Sequence, residues 1–289
     1  VNLFVEINLG FFSYIFIYNM KILLSYLIYG NGYLEQFDMH LQSLLQTTDI
    51  SHYHFMFITN KGLVSKIQKL MKKHNISNKV IFNIQPNIIK RKSRRDYLEK
   101  ILVLKFNVMD IDISNYDRVL LGDVDVLVLE NLHKITHING IKNNCFYGIS
   151  EHNASHTIPY WYLYPYTSNQ LKYFKDNQIL PMNSGHILFV PSKENKKHFD
   201  NMKNISSSIA VHNKKYKENG IKIFYDQSIY NHYINLNNLG DYKELAGKIK
   251  LFPKKNIDYK NKFVLLHFTG IGDCDSKTKD MKTYLEKYN

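Results

Sequence analysis

The stretch Tyr116-Asp-Arg-Val-Leu-Leu-Gly-Asp-Val-Asp-Val-Leu-Val-Leu-Glu130 decides the fold class. Val119, Leu120 and Leu121 form the short apolar run of a buried parallel-sheet strand. Asp123 and Asp125 follow, and residues 126–129 resume the apolar character. Side chains alternate along an extended chain, so residues i and i+2 project to the same side. The two carboxylates therefore converge just past a strand end, where open α/β sheets place ligands. Close and unpaired, they repel each other and are costly to bury. A divalent cation removes that penalty. A solvated acidic turn is the alternative, and the apolar runs on both sides weigh against it.

Working outward, the first half of the chain alternates strand and helix. Residues 21–29 are compact and apolar and are stopped by Gly30-Asn-Gly32, which predicts a first strand. Leu34, Phe37, Leu41, Leu44 and Leu45 repeat at helical spacing. A second strand is expected at 53–58, a basic amphipathic helix at 63–74, a short strand at 80–84, and a helix at 97–108 before the strand at 118–121. This alternation signals a parallel sheet with crossover helices. The second half is less regular. Residues 160–166 carry Tyr160, Trp161, Tyr162, Tyr164 and Tyr166, which reads as a loop folded over the core or as an aromatic platform for a sugar ring. A strand at 186–190 is closed by Pro191, a helix over 226–233 has Asp226 as its N-cap, and a last strand at 263–268 ends in Gly270-Ile-Gly272. There is no internal repeat and no linker long enough to divide the chain.

With 289 residues and 44% apolar content, the chain can bury a substantial core in one large domain. The net charge of +13 is spread thinly, and Lys90-Arg-Lys-Ser-Arg-Arg95 is its dense cluster. No RNA-binding aromatic signature or zinc-finger spacing accompanies that cluster, so a nucleic-acid partner is not expected. General basicity suits an anionic substrate or peripheral contact with an acidic membrane surface. Cys145 and Cys274 are too few and too far apart for a disulfide framework or a zinc site, which fits a reducing, cytoplasmic setting. Apart from Glu6, Asn8 and Ser13, residues 3–18 are apolar, but the run falls short of a spanning helix. Residues 1–19 read as an N-terminal extension upstream of Met20, with a signal-anchor as the rival reading, and 20–289 as the domain.

Four features occur in order: a first strand ending in a small turn and Tyr33; Asp123-Val-Asp125; Asn183-Ser-Gly185 before a strand; and His267-Phe-Thr-Gly270 after a late strand. Tyr-Asp-Arg-Val precedes Asp123 by seven residues, and Leu-Val-Leu-Glu-Asn-Leu follows Asp125. This ordered set resembles glycosyltransferase family 8, the retaining nucleotide-sugar transferases that include glycogenin and bacterial lipopolysaccharide galactosyltransferases. The resemblance covers roughly residues 21–279. It implies a single GT-A-type α/β domain with a Rossmann-like, mostly parallel central sheet flanked by helices. It implies transfer of a hexose from a UDP-sugar to a glycan, a lipid-linked sugar or a protein.

The site residues follow from the resemblance. Asp123, Asp125 and His267 are the implied metal ligands, and two carboxylates with one imidazole suit Mn²⁺ better than Mg²⁺. Tyr33 falls where the family stacks an aromatic on uracil, and Val124 and Gly270 join the nucleotide-binding set. Lys105 matches a Lys or Arg turned toward the donor phosphate and sugar, with a solvated helix lysine as the alternative. Asn183 and Gly185 match the Asn-x-Gly at the donor sugar, where Gly permits close backbone approach. Asp226 and Gln227 match an Asp-Gln pair whose Asp contacts sugar hydroxyls and whose Gln lies near the anomeric carbon.

The chain departs from the family in three places. Ser228 stands where a third acidic residue is common, and Leu180-Pro181 where an acidic residue often precedes Asn-x-Gly. In place of Lys-Pro-Trp, whose Lys grips the diphosphate, the chain reads Ile271-Gly-Asp-Cys-Asp-Ser-Lys277, which leaves Lys277 or Lys279 to take that role. These departures keep open a catalytically idle sugar-nucleotide or glycan-binding protein of the same fold. A haloacid-dehalogenase-type phosphatase also places Asp-x-Asp after an apolar strand. In those enzymes the motif lies near the chain start and is followed by x-Thr, whereas Val126-Leu127 follow here.

Overall fold

The computed structural model describes residues 20–76, 79–88, 98, 100–150, 169, 172–173, 176–177, 181–218, 225–254, 256–269 and 274–288. The extension at 1–19, the basic cluster at 90–95, the aromatic run at 160–166 and Gly270 lie outside the described residues. The central sheet has seven strands in the order β3-β2-β1-β4-β7-β6-β8. These are β1 (Ile22–Ile28), β2 (Tyr53–Asn60), β3 (Val80–Gln85), β4 (Arg118–Gly122), β6 (Phe146–Tyr147), β7 (His186–Phe189) and β8 (Gly240–Asp241). β3, β2, β1 and β4 are mutually parallel, as the strand–helix alternation predicts, whereas β7 runs antiparallel to β4. A second sheet, β5-β10-β9, joins β5 (Val126–Val128), β10 (Leu265–His267) and β9 (Ile249–Leu251). The chain passes from the first sheet to the second within residues 123–125.

The parity of the strands places the core on both sides of the main sheet. Ile22, Leu24, Tyr26 and Ile28 of β1 join Leu120 and Leu188 in one buried cluster. Leu23 and Leu27 join Val119, Leu121, Ile187 and Phe189 in the other. The first cluster is covered by helix α1 (Asn31–Thr47), whose Phe37, Leu41 and Leu44 enter it, and by α2 (Val64–Lys73), through Ile67 and Met71. The second is covered by α4 (Lys193–Glu218) and α5 (Tyr225–Leu236), with Phe199, Met202, Ile229 and Tyr230 pointing inward. A third cluster of Met39, Leu127, Leu266, Phe268, Met281 and Tyr284 packs the second sheet against α1 and helix α6 (Cys274–Tyr288). The short helix α3 (His133–Thr136) follows β5.

Two local expectations are corrected. The second part of the helix expected at 97–108 is a 3₁₀ segment, Val103–Met109. Three-residue winding stacks Val103, Phe106 and Met109 on one face; Phe106 and Met109 enter the second cluster and Val103 packs against it. The Asn107 carbonyl accepts from Asp110 N at 3.0 Å and from Asn83 Nδ2 at 2.7 Å, which holds the tighter turn. Asp226 lies inside the first turn of α5, one residue after its start at Tyr225, and its carboxylate is engaged by a buried lysine. Among the described residues, no helix is long and apolar enough to cross a membrane, and neither Cys145 nor Cys274 is in a disulfide.

Candidate metal and donor site

The carboxyl end of β4 and the start of the second sheet bring three donors together. Asp123 follows Gly122 directly, and its amide donates to Gly185 O at 2.7 Å, so the loop before β7 fixes it. Asp125 is tied to β10: its carbonyl accepts from Phe268 N at 2.9 Å, beside the register pair His267 and Val126. His267 Nε2 lies 3.4 Å from Asp123 Oδ2 and 3.3 Å from Asp125 Oδ1. Among the described residues, this is the one group of three or more such donors close enough to share an ion.

Each carboxylate divides its oxygens between two tasks. Asp123 Oδ1 is 2.6 Å from Lys105 Nζ, and Asp125 Oδ2 is 2.5 Å from Lys277 Nζ. The remaining oxygen of each faces His267. Among the described residues, neither nitrogen of that buried ring has a hydrogen bond of good geometry, so Nε2 meets the two carboxylates only as longer ion-pair contacts. Donors at about 2.1 Å from an ion, held at right angles, stand about 3 Å apart, close to these His–carboxylate separations. The residues therefore fit a divalent ion. The electrostatics agree. Burial opposes charge on His267, yet the Asp125 and Asp123 carboxylates raise its imidazole from 6.5 to about 9.

Behind the triad, Lys105 is 2% exposed. Burial disfavours its charge, but Asp123 and Asp226 outweigh burial and hold the ammonium well above its ordinary range. Its Nζ is 3.0 Å from Asp226 Oδ2 and donates to Ser184 O at 3.4 Å. Lys105 is thus not a solvated helix lysine. It bridges two carboxylates from distant parts of the chain. Burial raises the Asp226 carboxyl, with the Lys105 charge pulling against it.

Helix α5 also sets the loop at 182–185. Asn231 takes both backbone groups of Met182, accepting from its N–H at 2.6 Å and donating to its carbonyl at 2.9 Å. Ser184 N donates to Gln227 Oε1 at 3.5 Å. Asn183 Oδ1 accepts from Gly185 N at 2.9 Å. Asn183, Gly185, Asp226 and Gln227 therefore gather on one rim beside the triad. Tyr33, half-buried on α1, lies close enough to both carboxylates to feel their charge. Burial raises its phenol first, and Cys274, Asp125 and Asp123 add to the shift. Val124 is in the core, so only its backbone can face a ligand. Lys277, from the first turn of α6, is brought to the site. His186, which the sequence offers only as the first residue of a strand, packs against His267 with ring centroids 5.0 Å apart. Ser184 supplies a carbonyl to Lys105.

Comparison with solved structures shows the fold. The chain superimposes on the galactosyltransferase LgtC, solved with donor and acceptor sugar analogues, with a TM-score of 0.61 at 13% identity, over 90% of this chain and 95% of that one. Mouse xyloside xylosyltransferase 1 gives a TM-score of 0.55 at 13% identity, covering 89% of this chain and 98% of that one. The glycosyltransferase GlyE of Streptococcus pneumoniae TIGR4 gives 0.53 at 13% identity, covering 93% of this chain and 64% of that one. No protein-family model matches the sequence, and no curated protein matches it. The fold is that of the GT-A glycosyltransferases.

Proposed function

We propose that this chain is a metal-dependent, retaining glycosyltransferase that moves a hexose from a UDP-sugar to a glycan, lipid-linked or protein acceptor. The observation that carries the reading is the Asp123–Asp125–His267 constellation at the carboxyl edge of a sheet with this fold. Two carboxylates and one imidazole suit Mn²⁺, with Mg²⁺ the second choice. A bound ion there would supply Lewis-acid neutralisation of the departing diphosphate.

The chain's own residues do the rest. Lys105 pins one oxygen of Asp123 and leaves the other for the ion. Lys277, 2.5 Å from Asp125 Oδ2, brings a second positive charge to the diphosphate side, in the role that Lys-Pro-Trp serves in the resembling family. Tyr33 offers a ring face for uracil. The backbone at Asn183–Gly185 approaches the donor sugar, Asp226 faces its hydroxyls, and Gln227 lies by the anomeric carbon. Asp226 is already committed to Lys105, so it is a poor nucleophile for double displacement. The leaving phosphate oxygen then takes the proton of the incoming acceptor hydroxyl.

A screen of UDP-sugars with and without Mn²⁺, read by UDP release, tests the proposal. Release that depends on Mn²⁺ and is lost on chelation is expected for at least one donor. Tight UDP binding by calorimetry without release from any donor would support the idle binding protein instead.

A further inference from the structure

A metal-ligating imidazole is ordinarily oriented by its second ring nitrogen, which donates to a carboxylate, a carbonyl or water. Among the described residues no group accepts from His267 Nδ1, which is buried. The ring is instead enclosed by Gly185 and His186. A methyl group on Gly185 would lie 2.1 Å from His267 Cε1 and 2.8 Å from Nδ1, so the imidazole occupies the space a side chain would need. His186 meets it edge-on, with centroids 5.0 Å apart and planes at 80°. His186 is itself 2% exposed, and its Nδ1 has no hydrogen-bond partner. The same dipeptide also holds the other side of the triad. Gly185 O accepts the Asp123 amide, and His186 pairs in register with Gly122.

We propose that Gly185 and His186 form a seat, steric on one side and aromatic on the other, that sets the angle of the His267 ring toward Asp123 and Asp125. His186 is then a positioning residue for the metal ligand and acts through the shape of its ring. Gly185 serves the ligand as well as the donor sugar. The inference rests on the metal reading above. It deepens that reading by replacing the usual hydrogen bond with packing, since edge-to-face contact needs a flat ring and no particular nitrogen.

The test is Mn²⁺ binding to the full chain, with the metal alone, read by loss of the free-ion electron paramagnetic resonance signal. Melting curves in chelator report whether each variant is folded. His186→Ala is expected to weaken Mn²⁺ binding about tenfold or more, the range typical of groups that orient a ligand. His186→Phe is expected to stay within about threefold of the parent, because the ring survives. Gly185→Ala is expected to abolish binding by displacing His267. If His186→Phe binds as weakly as His186→Ala, a ring nitrogen does the orienting and the proposal is wrong. It is equally wrong if His186→Ala binds like the parent. Should His186→Ala not fold, His186→Leu takes its place, and equal affinities for the Leu and Phe variants overturn the proposal. A folded parent that binds no Mn²⁺ overturns the metal site itself, an outcome distinct from a parent that binds and variants that do not differ.

Discussion

Lys105→Met removes the ammonium that lies between Asp123 and Asp226 while keeping a side chain of similar length. Asp226 is buried and Asp123 only partly exposed, so the loss leaves one buried and one half-screened carboxylate facing each other. Breaking a buried ion pair from one side costs about 3–5 kcal/mol. At about 2 °C per kcal/mol for a chain of this size, the melting temperature should fall by about 6–10 °C. The sign of the pH dependence is also determined. Burial already raises the Asp226 carboxyl above 3.8, and Lys105 restrains that rise. In the variant the restraint is gone, so the folded form binds its proton more readily than the unfolded form. Stability conferred by that protonation is present at low pH and lost as pH rises through the folded value. The deficit of Lys105→Met should therefore be smaller at pH 5 than at pH 7 in urea melts run with chelator. Adding Asp226→Asn removes the stranded charge and should recover about 1–3 kcal/mol relative to additivity. A deficit below about 1 kcal/mol, or a double variant no better than the single, would refute the bridging role of Lys105.

Three further outcomes follow from the site and the core. Asp125→Ala should lower Mn²⁺-dependent UDP release at least about a hundredfold, since a ligand matters more than the groups behind it; unchanged turnover would disprove the metal assignment. Lys277→Ala should raise the donor KM about tenfold without weakening Mn²⁺ binding, because the lysine competes for Asp125 before it meets the diphosphate; steady-state kinetics beside metal titration separates the two. His40 is buried between Val126 O at 3.0 Å and Tyr26 OH at 2.8 Å, and burial lowers its imidazole from 6.5 to about 4. Below pH 6.5 only the unfolded chain takes up this proton, so stability should be lost as pH falls from 6.5 toward 4, by about 3 kcal/mol in all. Urea melts of His40→Gln over the same range should lack that part of the slope.

Much of the framework was legible because it rests on short-range periodicity. The apolar runs at β1, β2 and β4 and the helical spacing of Phe37, Leu41 and Leu44 each report a burial pattern that neighbouring residues share. Asp123 and Asp125 were legible as a pair because two carboxylates past a strand end pose an electrostatic problem within three residues. His267 emerged only from the order of motifs, since one histidine at a strand end carries no local signal. Lys105 was the hardest to read. It stands in an apolar stretch, and nothing nearby in the sequence shows that Asp123 and Asp226 will close around it. The 3₁₀ winding that carries it was equally hidden, because Asn83, which draws on the Asn107 carbonyl, lies on another strand. His186 opens an apolar strand as any polar residue might. Its neighbour, 81 positions on, becomes visible only when the second sheet has formed.

The antiparallel pairing of β5 with β10 has one more consequence. Because side chains alternate, sliding β10 by a single residue would turn His267 to the opposite face and send Leu266 or Phe268 into the carboxylates. The bond from Phe268 N to Asp125 O lies at the point where such a slip would begin. A one-residue insertion or deletion in the turn before β10 would therefore strike the site and the core together, because the face that His267 would enter is the one on which Leu266 packs in the third cluster. Its effect on the site would be to exchange a metal-binding edge for an apolar one, so strand alignment in this protein is itself a chemical specification.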